Sequence, residues 1–219
     1  MSGSASQELE YRVHRDLAAL EDIRGLINAA YRGKDDGAGR WTTEQHLVDG
    51  ERITAQALVQ LIQQNDSDLI VGFAGDRPRC CIAVKRLADA VEFGTYAVAP
   101  ELQGQGCGKA LLQYAEAYAR DWHHRFQVCV VSQNTALIDF YRRRGYRPSG
   151  DRLPYPVGQG VGTPKVAALA LTVLVKERQP AGGGVSGPGR GDAGRLLQGG
   201  ARSYRRVPGY TQRGGPGAA

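Results

Sequence analysis

Gly104, Gly106 and Gly108 fall at every second position of the run Gln103-Gly104-Gln105-Gly106-Cys107-Gly108. With no side chains at those points, successive backbone N–H groups can converge on one bound anion. A helix expected to open near Gly108 and run from Lys109 to Trp122 aims its partly positive N-terminus at the same spot. Upstream, the β-rich stretch Phe93 to Val98 ends just before Pro100. Strand end, glycine turn and helix start together describe a cradle for a phosphate or pyrophosphate. Two familiar cradles do not fit. A Walker A loop needs four residues between its glycine and the Gly-Lys pair, followed by Ser or Thr. Here three residues separate Gly104 from Gly108, and Ala110 follows Lys109. The dinucleotide fingerprint needs GxGxxG after a first strand and an acid about 20 residues further on. Here the spacing is GxGxG in mid-chain, and Arg125 lies in that region.

A second stretch, Phe126 to Tyr146, carries more chemistry. Its alternating apolar start predicts a buried strand over Phe126 to Val131. Ser132, Gln133 and Asn134 then supply an N-cap, and Thr135 to Arg144 reads as an amphipathic helix with Leu137, Phe140 and Tyr141 grouped together. Gly145 stops that helix and Tyr146 opens the next strand.

A third template for the glycine turn, V-x-P-x-x-Q/R-G-x-G-x-G/A, is met throughout by Val98, Pro100, Gln103, Gly104, Gly106 and Gly108. On these residues, and on the strand–Asn134–helix–Tyr141–Gly145 order that follows, the chain resembles the GNAT superfamily of acyl-CoA-dependent N-acyltransferases. The likeness covers roughly residues 10 to 177. It implies a fold of the α/β class, a single mixed β-sheet flanked by helices. It implies acetyl-CoA as acyl donor, an amine as acceptor, and no metal. The donor site it implies is Tyr96, Ala97, Val98, Gln103, Gly104, Gln105, Gly106, Cys107, Gly108 and Lys109, with Asn134 on the pantetheine arm and Tyr141 near the sulfur. Asn134 reads equally as a plain helix cap, and Tyr141 as a half-buried core aromatic.

Acetyl transfer to an amine needs a neutral amine, a polarised thioester carbonyl and a proton for the leaving thiolate. A backbone N–H near Val98 can serve the carbonyl oxygen. Tyr141, a phenol near pKa of about 10, can donate to a thiolate near about 8.5. Glu92 is the expected base: it stands six residues before Val98 on the same strand, and period-2 alternation predicts that the two share a face. Glu92 as a mere strand start beside a turn is the other reading. The acceptor side falls to the segments Arg32 to His46 and Asp151 to Val166. Asp35, Asp36, Trp41, Glu44 and His46 there suit an amine-bearing acceptor or simply a solvated loop. A protein that binds acyl-CoA without turning it over, as sensor or scaffold, stays open beside the enzyme.

The remaining pattern supplies the elements that must position these groups. Tyr11 to His14 predicts a first strand, and Asp16 a cap for a helix through Ala30 that buries Leu17, Leu20, Ile23 and Ile27. A second helical stretch is expected from Thr43 to Gln64, broken near Asp49-Gly50. Strands follow at Leu69 to Phe73, Arg79 to Lys85 and Val91 to Val98, with turns at Gly75-Asp76 and Ala88-Asp89. A final strand pair is expected near Tyr146 and Ala167 to Val175. Residues 1–9 read as a flexible start, 10–177 as one domain and 178–219 as a disordered Gly/Arg/Pro-rich tail.

The net charge of +6 misleads as to partners. From Gln179 onward six arginines face one aspartate, which leaves the rest of the chain close to neutral. That argues against a nucleic-acid-binding domain. The four cysteines, Cys80, Cys81, Cys107 and Cys129, show no metal-ligand spacing. Cys80 and Cys81, as strand neighbours, should point to opposite faces. No apolar stretch reaches membrane-spanning length, and the start lacks signal-peptide character. The expected setting is cytoplasmic, with a homodimer compatible with the reading.

Overall fold

The apolar runs of the middle of the chain form strands buried on both faces, and a computed structural model describes them within residues 9–33 and 44–178. In chain order the elements are β1 (Glu10–His14), α1 (Leu20–Arg32), β2 (Val48–Asp49), α2 (Ala55–Gln63), β3 (Ser67–Ala74), β4 (Arg77–Arg86) and β5 (Val91–Val98). Then come a 3₁₀ turn (Pro100–Leu102), α3 (Cys107–Tyr118), β6 (Arg125–Val131), α4 (Thr135–Arg142), β7 (Arg147–Pro154), β8 (Thr163–Pro164) and β9 (Ala170–Glu177). Seven strands make one sheet in the order β1-β3-β4-β5-β6-β9-β7, and β2 pairs with β8 in a small second one. Among the described strands only β5 and β6 run parallel, so the large sheet is mixed. The tail from Gln179 and the segment from Lys34 to Thr43 lie outside the described residues.

Helices cover both faces of the sheet. On one, α3 and α4 pack Leu111, Leu112, Leu137 and Phe140 against Cys80, Ile82, Phe93, Tyr96, Phe126 and Val128. On the other, α1 and α2 pack Ile23, Ile27, Leu58 and Ile62 against Leu69, Val71, Cys81 and Ala97. Cys80 and Cys81 therefore face opposite ways, as strand neighbours must.

Two expectations about the first helices are corrected. Asp16 does not cap α1. Its Oδ1 accepts from Ala18 N at 2.8 Å, closing a separate turn, and Ala19 at φ 52 breaks the chain before the helix opens at Leu20. Leu17, assigned to the apolar face, is thereby left 50 % exposed. The second helix is much shorter than expected. Thr54 accepts from Ala57 N at 3.1 Å and caps a helix that starts only at Ala55. Val48 and Asp49 instead pair with Pro164 and Thr163, partners too distant in sequence for local periodicity to report.

Candidate active site

The site is made by a defect in strand pairing. Cys81 faces Ala97, but Ala83 faces Gly94, so Thr95 and Tyr96 both stand opposite Ile82. This is a β-bulge, and Thr95 takes φ 45 to accommodate it. Beyond it β5 parts from β6: the parallel register runs only from Val91↔Phe126 to Phe93↔Val128, although β5 continues to Val98 and β6 to Val131. The result is a wedge-shaped gap between two parallel strands, opening toward their C-terminal ends.

The bulge overturns one expectation. Glu92 and Val98 do not share a face, because the extra residue inverts the alternation between them. Phe93, Tyr96 and Val98 all join the core under α3 and α4. Glu92 points to the other side, where its Oε2 accepts from Gln127 Nε2 at 2.9 Å and from the Cys129 thiol at 3.6 Å.

At the strand end the Val98 backbone groups turn away from β4. Ala99 N donates to Arg79 O at 2.8 Å. In an antiparallel ladder the neighbouring residue turns its groups the other way, so the Val98 N–H and C=O face the gap rather than β4. Gln103 Nε2 donates to that Val98 carbonyl at 3.1 Å and ties the glycine loop to the strand. Gly104 and Gly106 adopt φ +78 and +87, and a Cβ built on either would meet nothing within 4 Å. Their surroundings are open space. The first bond of α3 runs from Ala110 N to Gly106 O at 3.0 Å, which leaves the Cys107, Gly108 and Lys109 amides as first-turn donors ahead of the ladder. Gly108 has a different reason. A Cβ there would lie less than 3.0 Å from the Tyr96 hydroxyl, so its absence lets α3 sit down on β5. Gln105 and Lys109 are exposed, and Ala97 is buried on the α1 face.

A cavity of about 180 Å³ fills the wedge, with Glu92, Tyr96, Leu137 and Tyr141 on its strand and α4 sides. Tyr141 is 2 % exposed and packs its ring against Tyr96, Phe140 and Tyr146. Burial, reinforced by nearby Tyr31, pushes its phenol well above the usual value, so it stays a proton carrier at any working pH. Asn134 does cap α4, its Oδ1 accepting from Leu137 N at 3.1 Å. Its Nδ2 turns toward Glu44 without reaching hydrogen-bond length.

The rest of the lining comes from residues whose spacing carries no signal: Tyr31 of α1, Glu44, Arg52, Cys129, Tyr155 and Val161. Glu44 and the Tyr155–Val161 stretch lie in the two segments assigned to the acceptor side, whereas Tyr31, Arg52 and Cys129 were missed. His46 is exposed and does not line the cavity; Asp35, Asp36 and Trp41 lie outside the described residues. Burial raises the Glu44 carboxyl above its ordinary value, against the pull of Arg52, Arg32 and Asn134. Arg32 Nη1 stands 3.5 Å from it. Loss of water pushes the Tyr31 phenol up to about 12, although Arg52 and the Tyr96 amide act the other way. The Cys129 thiol is raised first by burial and then by Glu92 beside it, which makes it a donor to that carboxylate rather than a nucleophile. Among the described residues no cluster of His, Cys, Asp and Glu could hold a metal ion, and no helix is long and apolar enough to cross a membrane.

Solved structures share this architecture at low identity. An N-acetyltransferase acting on the alanine of ribosomal protein S18, from Escherichia coli, is 14 % identical and covers 82 % of this chain and 99 % of its own, with a TM-score of 0.57. A putative acetyltransferase from Salmonella typhimurium, solved with its cofactor acetyl-CoA, is 18 % identical over 82 % of this chain and 99 % of its own, with a TM-score of 0.55. The PaiA N-acetyltransferase of Thermoplasma acidophilum, solved with coenzyme A, is 17 % identical over 77 % and 99 %, with a TM-score of 0.54. No curated protein matches the sequence. The family evidence lies in the sequence itself, where residues 20–146, containing the bulged strand, the glycine turn and the capped α4, match the acetyltransferase (GNAT) family. With more than half of its length so matched, this chain belongs to the GNAT acetyltransferase family.

Proposed function

We propose that the protein transfers an acetyl group from acetyl-CoA to a primary amine of a small molecule or peptide, by direct attack within a ternary complex. One observation carries this reading: the Tyr141 and Glu92 side chains line one wedge between β5 and β6, beside a turn open enough to seat a pyrophosphate, and the Val98 amide at the end of β5 turns away from β4 toward that gap. The residues that would hold the donor are Gln103 to Lys109, through loop and first-turn amides, with the strand end from Tyr96 to Val98 along the pantetheine arm and Asn134 at the mouth of α4. Glu92 takes the proton of the attacking ammonium, directly or through a water, and Gln127 and Cys129 keep its carboxylate oriented. The new N–C bond forms as the C–S bond breaks. The Val98 N–H stabilises the charge on the carbonyl oxygen, Tyr141 gives its proton to the departing sulfur, and the second proton shed by the acylated nitrogen restores the phenol, so ammonium and thioester become amide, thiol and the proton left on Glu92. The catalytic domain is assigned to residues 10–177, with 1–9 and 178–219 as flanking segments.

Acetyl-CoA should raise the melting temperature, since a ligand that binds only the folded state stabilises it by mass action. Gly106→Val should abolish that shift, because a branched Cβ occupies the cradle and resists positive φ. A folded Gly106→Val protein with the full shift would show the cradle to be misassigned. A mass-spectrometric screen of amines with acetyl-CoA then separates turnover from binding alone: a thermal shift without any acetylated amine would leave a sensor or scaffold.

A further inference from the structure

The lining of the cavity carries a cation that no step above uses. Arg52 lies in the link between β2 and α2, and its backbone is fixed from α1. Asn28 Oδ1 accepts from Arg52 N at 2.7 Å and from Ile53 N at 3.2 Å, while Asn28 Nδ2 donates to Ile53 O at 3.0 Å. Directly afterwards the Thr54 cap starts α2. The guanidinium lies over the Tyr31 ring, 4.9 Å from its centroid, half-buried at the cavity wall. Among the described residues no carboxylate lies within 4.0 Å of it. Glu44 is engaged by Arg32, whose other nitrogens are held by Gly50 O at 3.0 Å and Val161 O at 2.9 Å.

The cavity thus presents two carboxylates, Glu92 and Glu44, and one guanidinium, Arg52. Glu44 feels both Arg52 and Arg32 but is ion-paired to Arg32, Glu92 is held by Gln127 and Cys129, and Arg52 is fixed through its backbone by Asn28. Bringing either a lone ammonium or a lone carboxylate into such a wedge would leave the opposite charge facing it unmatched. An acceptor with an amine at one end and an anion at the other meets both. The geometry points to Arg52 as the reader of an anionic group on the acceptor, a carboxylate or a phosphate, so that the site takes small zwitterionic amines of amino-acid size. Its planar fork of donors suits either anion. The volume of about 180 Å³, below the roughly 300 Å³ at which pockets for drug-sized ligands begin, sets the size. This inference rests on the acetyl-transfer reading above.

Three amines that share a two-carbon spacer test it with the full-length protein and acetyl-CoA: β-alanine, O-phosphoethanolamine and ethanolamine. α-Amino acids are run beside their amides. Thiol release gives kcat and KM for each. The anionic acceptors should exceed ethanolamine in kcat/KM by about 10–100-fold, the range of a hydrogen-bonded charged contact, and the better of the two identifies the anion. Arg52→Met should collapse that ratio toward one, mainly through KM, and Arg52→Lys should recover part of it. Retention of the acetyl-CoA thermal shift in both variants shows that they fold. Equal kcat/KM across the wild-type panel, or an equal loss for every acceptor in Arg52→Met, overturns the role of Arg52 while leaving acetyl transfer standing. A wild-type protein with neither thermal shift nor any acetylated amine overturns both.

Discussion

Gly108 offers the sharpest test of how the cradle is held in place. A Cβ at this position would lie under 3.0 Å from the Tyr96 hydroxyl oxygen, 3.4 Å from Tyr96 Cζ and 3.6 Å from Val98 Cγ2. The Tyr96 ring is 4 % exposed and backed by Phe140 and Tyr141, so it has little room to retreat and α3 must rise instead. Overpacking of this kind costs about 1–3 kcal/mol. Alanine in place of glycine in a helical turn returns about 0.5–1 kcal/mol, so Gly108→Ala should lose a net of up to about 2.5 kcal/mol. At this size of domain that is a fall in melting temperature of up to roughly 10 °C. In a Tyr96→Phe background the offending oxygen is gone and the nearest contact relaxes to the ordinary 3.4 Å. There Gly108→Ala should be neutral or slightly stabilising, which gives a coupling of about 1–3 kcal/mol in a double-mutant cycle by urea denaturation. Raising α3 also displaces the Cys107, Gly108 and Lys109 amides, so acetyl-CoA affinity should drop in Gly108→Ala and return in the double variant. Additive effects on stability, with no recovery in the Tyr96→Phe background, would refute this account of Gly108.

Tyr141→Phe keeps the packing of the ring and removes only the hydroxyl, so turnover should fall roughly 10²–10⁴-fold with little change in melting temperature; unchanged kcat removes Tyr141 from the acid role. Glu92→Gln should lose most activity at low pH, where few acceptor amines are already neutral, and approach wild type as pH rises; a loss independent of pH would exclude it as the base. Tyr146 is buried, donates to Glu116 Oε1 at 2.9 Å, and has its phenol pushed far up by burial and by Glu116. Above about pH 10 the unfolded chain ionises this group while the native state keeps its proton. Its contribution to stability is thus intact below that pH and is lost as pH climbs further, at up to about 1.4 kcal/mol per pH unit. Urea midpoints from pH 9 to 11 should fall more steeply for wild type than for Tyr146→Phe, and parallel curves would contradict this.

Much of the glycine turn and of α4 was legible in the order of residues, because their signals are local. Gly104 and Gly106 are needed for positive φ, Asn134 for the cap on Leu137 N, and Gly145 for the φ of 88 that ends α4. Val91 to Val98 forms a strand with the bounds its pattern predicts. Each feature depends on a few neighbouring torsions, so composition and spacing suffice to announce it. The rest of the wedge was legible only in part, through the segments that hold Glu44 and Tyr155. Nothing in Phe93-Gly94-Thr95-Tyr96 marks a bulge, since Thr95 reaches φ 45 only where β4 supplies one partner for two residues. That one extra residue sends Glu92 to the face opposite Val98. Tyr31, Arg52, Cys129 and Tyr155 come from four separate elements or links and meet only once the sheet has closed around the wedge. Local torsional preference writes the glycine turn into the chain, whereas the charges that line the wedge are set by long-range strand register and packing, and only the folded structure brings them together.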